Sequence, residues 1–380
     1  MPNPPAPEDP LSHYAGVDLG SNSFHLVLGR VEADGRITFV DRVKEAVRLA
    51  GGLGTDGRLS EAAVARALDC LGRFGERLAG LPAERVRVVG TNTLRRARDA
   101  EDFVDRAEGV LGHRIDIISG LEEARLVYRG VSASFDRAGP RLVVDIGGGS
   151  TELILGDQRG PVLLDSLYLG CVGWTERFFP GGRITAARFD DAELAARREL
   201  APVIARYREA FEHAVGSSGT ARAIDRTLLA TGWEGVTPAA TAHLRDALVR
   251  AGRTDRIALP EISAERAQVL PGGLAILRGV MRALHVPRMT TVDTALREGL
   301  VLDLAGRGVE GDIREGTVRR LQERFGVDAI HASQVARTAL SLHDQVRDAW
   351  ALPEDSRHLL DRAARLHELG LFLRYSGHHK

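Results

Sequence analysis

The stretch LVVDIGGGSTELILG, from Leu142 to Gly156, decides the fold. It sets three consecutive glycines, Gly147, Gly148 and Gly149, just after an apolar run that carries Asp145. A nucleotide-binding βαβ unit would follow its glycines with a helix. Here Thr151-Glu152-Leu153-Ile154-Leu155 alternates instead and reads as a second strand, so the glycines form the tip of a hairpin.

The pattern occurs twice. VDLGSNSFHLVLG, Val17 to Gly29, aligns without a gap to VDIGGGSTELILG, Val144 to Gly156, and sets Asp18 against Asp145 and Gly20 against Gly147. The spacing is too long for a solenoid repeat and suits two related domains, each opening with the same hairpin. Two lobes facing one another are expected.

Such tips have a chemistry of their own. Glycine permits positive φ and close approach, so successive N–H groups can line a concavity that accepts phosphate oxygens. Ser21, Asn22, Ser23, Ser150 and Thr151 add side-chain donors. An aspartate at the end of a buried strand needs a partner, and a hydrated divalent cation attached to phosphates supplies one. A ligand-free tight turn would explain one glycine triplet, but it does not explain the duplicated Asp-x-Gly.

Between the hairpins, RVRVVGTNTLRRARDAEDF reads as a strand from Arg85 to Gly90 that delivers Thr91, Asn92, Thr93 and Arg95 at its carboxyl end, where ligands gather in open α/β sheets. Arg95 is the arginine expected to contact phosphate, with Arg96 and Arg98 on the solvated side of the next helix. In RIDIISGLEEARLVYRGV, Ser119 precedes Glu122 at capping-box spacing. Glu122 is expected to be occupied by the cap, which leaves Glu123 as the candidate base that orients water. Compensation of the helix dipole is the plainer alternative for Glu123.

If the chain reverses through Gly147–Gly149, Glu152 returns beside Asp145 and can share a cation's water shell. His25 takes that position in the first copy, so the copies have specialised. Further on, Ala214 and Val215 lead into Gly216-Ser217-Ser218-Gly219-Thr220, either a third ligand loop offering Gly219 and Thr220 or a simple glycine turn. DTALREGLVLDL, Asp293 to Leu304, reads as an amphipathic helix closing the second lobe, with Arg297 and Glu298 a solvated or interlobe pair.

Composition sets outer limits. The 380 residues carry a formal charge of −1, so no global field draws the chain to nucleic acid or membrane, and a polyanion must be caught locally. Lys44 and Lys380 are the only lysines, a bias shared by the whole surface that locates no site. Two cysteines, Cys70 and Cys171, offer no disulfide framework and no thiolate zinc site, which fits a reducing, cytoplasmic setting. Residues 1–12 read as a flexible proline-rich leader, and no apolar run reaches membrane-spanning length. The signatures G-x-x-x-x-G-K-[ST], G-x-S-x-G and H-E-x-x-H are absent.

Together VDLGSNSFHLVLGRV, VGTNTLRRARDAEDF, ISGLEEARLVYRGV, VVDIGGGSTELILG and TALREGLVLDL resemble the exopolyphosphatase and guanosine pentaphosphate phosphohydrolase family, within the sugar-kinase, heat-shock-protein and actin superfamily. The resemblance implies an α/β fold: two ribonuclease-H-like lobes, residues 13–135 and 136–305, with a facing cleft, plus a partial C-terminal all-helical HD-like segment over 306–380. It also implies release of orthophosphate from the ends of inorganic polyphosphate, with Mg2+ or Mn2+ as cofactor. By residue, Glu123 matches the catalytic glutamate, with Asp145 and Glu152 the acidic metal and water ligands and Gly147 to Ser150 the phosphate loop. Asp18, Ser21, Asn22 and Ser23 match the opposing loop, and Asp18 joins the metal set.

From about Gly311 the sequence resembles the opening of the relatives' helical domain, which helps hold long polyphosphate and supports a homodimer. The chain ends soon after His367-Glu368, with glutamate where a metal-binding HD pair has aspartate. Its histidines therefore read as helix structure, and both processivity and the homodimer are in question. Hydrolysis of guanosine pentaphosphate is the near alternative. A non-catalytic polyphosphate or nucleotide sensor is the distant one, and a mere binder gains nothing from three acids beside a polyanion. An ATP-dependent sugar kinase of the same superfamily would need an adenosine pocket and a sugar-binding aspartate, and neither is identifiable.

Overall fold

The computed structural model describes residues 13–32, 36–306, 318, 321–322, 325–353 and 356–369. The expected leader, residues 1–12, lies outside them. The chain divides into two compact units, 1–304 and 305–380.

The larger unit holds two five-stranded sheets. In the first, β1 (His13–Leu19), β2 (Phe24–Val31) and β3 (Ile37–Glu45) run antiparallel, while β4 (Val86–Gly90) lies parallel to β1 and β5 (Ile115–Ile117) parallel to β4. Their order is β3-β2-β1-β4-β5. The second sheet contains β6 (Arg141–Ile146), β7 (Thr151–Asp157), β8 (Gly160–Leu167), β9 (His213–Gly216) and β10 (Thr290–Thr291), and runs β8-β7-β6-β9-β10. The two orders are the same arrangement, a hairpin and third strand followed by two parallel additions. The repeated sequence thus builds two copies of one ribonuclease-H-like lobe.

Helices fill the faces: α1 (Glu61–Leu78), α2 (Asn92–Arg96), α3 (Ala100–Leu111), α4 (Gly120–Ser132), α5 (Cys171–Phe178), α6 (Ala186–Leu200), α7 (Ile204–Tyr207), α8 (Gly219–Ala230), α9 (Pro238–Ala251), α10 (Ala264–Ala267), α11 (Leu270–Ala283) and α12 (Leu296–Ala305). Their starts are legible locally. Ser60, Ser119, Thr185, Ser218 and Thr237 each accept a backbone N–H of the first turn, and Pro238 follows its cap at the position where a missing N–H costs nothing.

Alternation along the strands sorts residues between an outer core and an interlobe layer. Ala15, Val17 and Leu19 pack with α1 and α3, whereas Gly16 and Asp18 face the other way. In the second sheet Leu142, Val144, Leu153 and Leu155 join the large core with α5, α6, α8, α9 and α11. Val143 and Ile154 belong instead to a third cluster between the sheets, with Val89, Leu126, Val127 and Leu300. Asp145 and Glu152 share the parity of Val143 and Ile154. The period of the strand therefore aims both acids at the space between the lobes.

The lobes exchange a helix. α4 follows the first sheet in the chain, yet Leu126 and Val127 pack on Val143, Ile154 and Val215 of the second. α12 follows the second sheet, yet it lies on the first: a Cβ at Gly16 would stand 2.8 Å from the Arg297 carbonyl and 3.0 Å from Leu300 Cβ, and one at Gly29 would stand 2.7 Å from Val301 Cγ1. The helices cross where Gly130 backs on Ala295 and Gly299 on the Leu126 carbonyl, so closely that neither position has room for a Cβ. The expected division at residues 135 and 136 follows the order of the chain, and packing crosses that line. α12 covers the first lobe rather than closing the second.

In the smaller unit α13 (Ala329–Val346) packs on α14 (Ser356–Arg365) through Ala332, Ala336 and Ala364, and His343 Nε2 meets Ser356 Oγ at 2.8 Å. Most of the expected helix over DIREGTVRRLQERFG, and His378, His379 and Lys380, lie outside the described residues.

Candidate active site

Pairing across each hairpin sets Asp18 opposite His25 and Asp145 opposite Glu152. The two tips touch. A Cβ at Gly148 would lie 3.1 Å from Ser21 Cβ and 3.3 Å from the Asn22 amide nitrogen, and one at Gly149 would lie 2.8 Å from Ser21 Oγ and against Asn92 Oδ1. Gly170 presses on the same loop from behind, where a Cβ would run into the Gly148 carbonyl and Gly149. The Gly147 and Gly148 carbonyls accept from the Cys171 and Val172 amides at the start of α5. None of Gly147, Gly148 and Gly149 has a positive φ, so the expected use of left-handed backbone is corrected: these glycines serve close approach.

Asp18, Gly20, Ser21, Asn22, Ser23, Thr91, Asn92, Glu123, Asp145, Gly147, Gly148, Gly149, Ser150, Glu152, Gly219 and Thr220 line a single cleft. Two candidates stand apart from it. Thr151 donates its hydroxyl to the Leu169 carbonyl, which fixes the loop from beneath. Arg95 pairs with Glu123 at 2.9 Å and donates to the Ile118 carbonyl, so its guanidinium holds an acid where a phosphate contact was expected.

Glu123 arrives on the first turn of α4. The helix is capped as expected, with Ser119 Oγ accepting the Glu122 amide at 3.1 Å. Glu122 does not return the bond: its carboxylate goes to Arg87 at 3.1 Å and to Arg125 at 2.7 Å, because two guanidinium groups outcompete one amide. Arg87 and Arg125 also hold Asp303 of α12, at 2.7 and 3.0 Å. The exchanged helices are thus pinned together directly behind Glu123.

Sequence reasoning placed none of the cleft's four cations, Lys44, Arg222, Arg266 and Arg297, in the site. His25, Lys44, Ser217, Ser218, Arg222, Arg266 and Arg297 also line it. Ser217 donates to Asp145 Oδ2 at 2.7 Å, which makes the loop before α8 a third arm of the site. Arg297 reaches His25 Nδ1 at 3.3 Å and Glu298 Oε1 at 2.9 Å. Two signals were available: Lys44 is a rare lysine on the strand position paired with His25, and Arg222 follows Gly219 by one helical step.

Burial and mutual repulsion govern the acids. Asp18 is pushed up to about 8 by burial, with Glu123 and Asp145 adding and Arg297 opposing. Glu123 is pushed up to about 7 by burial, against the pull of Arg95. Burial and the charges of Glu123 and Asp145 raise Glu152 well above its ordinary range, and burial raises Asp145 while Ser217 and Arg222 lower it. His25 is held well below its usual value by burial and by Arg297, Lys44, Arg222 and Arg266, so its ring is neutral. With Arg297 donating to Nδ1, the proton sits on Nε2.

Four acids crowded this way call for a cation. Asp18 Oδ1 is buried with no hydrogen-bond partner, as is Asn92 Oδ1 at the touching tips. Among the described residues no three of the cleft's acids bring oxygens within 4.8 Å of one another. Carboxylate oxygens would suit magnesium, which keeps several waters and binds through one or two carboxylates plus substrate phosphates.

Comparison with known proteins gives the family and the fold. Residues 29–307 match the Ppx/GppA phosphatase family and residues 313–380 match domain III of the Ppx/GppA phosphatases. An exopolyphosphatase-like protein of known structure is 28% identical, with a TM-score of 0.68 over 77% of this chain and 97% of its own. An exopolyphosphatase from Cytophaga hutchinsonii superposes with a TM-score of 0.70 at 24% identity, covering 77% of this chain and 97% of its own. The Aquifex aeolicus family member gives 0.67 at 24%, covering 78% and 99%. These last two share the fold.

Proposed function

The chain belongs to the Ppx/GppA phosphatase family, and from that premise we propose that it is an exopolyphosphatase, releasing orthophosphate from the ends of inorganic polyphosphate. One observation carries the reading: Glu123, a buried glutamate raised toward neutral pH and gripped by Arg95, stands in one cleft with three further acids and with Lys44, Arg222, Arg266 and Arg297. Acids alone would repel a polyanion, and cations alone would bind it without reaction. The mixture suits a phosphate chain that must be both held and attacked.

In the proposed reaction Glu123 orients a water and takes its proton as the water oxygen bonds to the terminal phosphorus. The bond from that phosphorus to the bridging oxygen breaks, and its electron pair leaves on the shortened chain. Magnesium or manganese, held by Asp145, Glu152 and Asp18, directly by one or two of them and otherwise through its bound waters, would neutralise phosphate charge and lower the barrier. Ser21, Asn22, Ser23 and the Gly147–Ser150 loop orient the terminal phosphoryl group, with Thr220 and the amide of Gly219 on its flank. The arginines and Lys44 hold the phosphates behind it.

Phosphate release from polyphosphate and from guanosine pentaphosphate, supplied separately with magnesium, tests the proposal. Turnover of polyphosphate is expected. Turnover of guanosine pentaphosphate alone would move the assignment to the nucleotide. Binding of either without turnover would make the chain a sensor.

A further inference from the structure

We propose that His331, His367 and Glu368 form a zinc-class metal site in the C-terminal helical unit, with a donor chemistry different from that of the cleft. Among the described residues, these three alone bring metal-ligating atoms of three side chains within 4.8 Å of one another. His331 Nε2 stands 3.8 Å from Glu368 Oε1, and the two imidazole rings lie 5.6 Å apart, tilted by 49°.

The surroundings favour a ligand set over helix structure. His367 Nδ1 is 2.7 Å from the Ala364 carbonyl, so Nδ1 carries the hydrogen and Nε2 keeps its lone pair free. A backbone carbonyl that fixes the tautomer is the usual support of a metal-binding imidazole. His331 sits in the first turn of α13, where Asp328 accepts its amide and that of Ile330, which anchors the backbone beneath the ring. Both histidines are exposed, so neither ring contributes much to packing.

Donor chemistry selects the ion. Two imidazoles and one carboxylate are the composition of a three-ligand zinc centre with an open position for water, whereas the cleft's acids are hard carboxylates, and its one imidazole, His25, already accepts from Arg297. Tetrahedral donors about 2.0–2.1 Å from zinc stand ~3.4 Å apart, so the site closes by a small rotation of exposed side chains. The bound ion would staple the start of α13 to the turn that follows α14. Glutamate in place of aspartate, taken in the sequence as a mark against metal binding, is no obstacle here because its longer stem brings the carboxylate to both rings.

The test is a zinc titration of the metal-free full chain against a chromophoric chelator, with magnesium in excess, together with cobalt substitution read by visible absorption. Wild type and Glu152→Gln are expected to bind one zinc tightly, to show a tetrahedral cobalt band and to melt higher with zinc. His331→Gln and His367→Gln are expected to lose at least ~100-fold in affinity, as removal of a ligand costs no less than loss of its supporting partner. Their metal-free melting temperatures, matched to the wild type, would show that the loss is not unfolding. Zinc affinity unchanged in both variants, as it would be if His378 and His379 held the ion, overturns the proposal. So does a wild-type chain that binds no zinc.

Discussion

Arg95 Nη1 lies 2.9 Å from Glu123 Oε2 and 2.9 Å from the Ile118 carbonyl oxygen, so one guanidinium ties the acid of α4 to the strand end beside it. Arg95 therefore acts through Glu123. It favours the ionised carboxylate, against the burial that raises it.

Replacing Arg95 with methionine should move the acid limb of the kcat profile to higher pH. A general base works when ionised, so activity falls as pH drops through the pKa of Glu123, and loss of the arginine raises that pKa further. Profiles of the two enzymes check this, and a limb that stays in place would remove Arg95 from control of Glu123.

Glu123→Gln should lower kcat about 10²–10⁴-fold, the range for loss of a positioned base, while polyphosphate affinity measured without turnover changes little. An equal loss in both would show that Glu123 serves binding.

Asp18 makes a different demand. Its pKa in the folded chain is raised from 3.8 to about 8, so ionising it destabilises the fold increasingly as pH rises between those values. In EDTA at pH 8, Asp18→Asn should stabilise the chain by about 1–3 kcal/mol, a typical cost of an uncompensated buried polar group. The gain should vanish near pH 4, and magnesium should stabilise the variant less than the wild type. Urea melts at the two pH values, with and without magnesium, report all three effects.

Glu122 has the opposite sign. Burial raises it, but Arg125 and Arg87 outweigh burial and hold it below its ordinary 4.5. Its stabilisation is present above that value and is lost as pH falls through the lowered one. Glu122→Gln should be the less stable protein at pH 7 and should lose the acid-side slope that the wild type shows below pH 4.5, as acid titration of the melting temperature would reveal.

At the helix crossing, Gly299→Ala would drive a methyl group into the Leu126 carbonyl. A loss of about 1–3 kcal/mol, the usual cost of overpacking, is expected, and chemical denaturation measures it.

The hairpins, the duplication and the facing acids were legible because each depends on local chain: strand parity aims Asp145 and Glu152, and an aligned repeat needs no tertiary information. The cap at Ser119 was legible for the same reason, but the fate of Glu122 was not, because Arg87 reaches it from β4, and Asp303 of α12 holds Arg87 and Arg125 in place. Arg266 was hidden among many arginines that look alike in one dimension. The helix exchange was hidden more deeply, since nothing in the pattern of α4 or α12 says which sheet it will cover. Of the two reasons for the glycines at 147–149, positive φ fails and close approach holds, although the crowding by Ser21 and Asn92 is visible only in three dimensions.

The exchange of α4 and α12 makes each half of the larger unit the other's missing wall. A chain nicked between residues 133 and 140 should remain one particle with its catalytic groups in register, while either half produced alone would bare an apolar surface and precipitate. The duplicated halves are bound as a hasp is to its staple, and a shift of one against the other must be a swivel about Gly130 and Gly299.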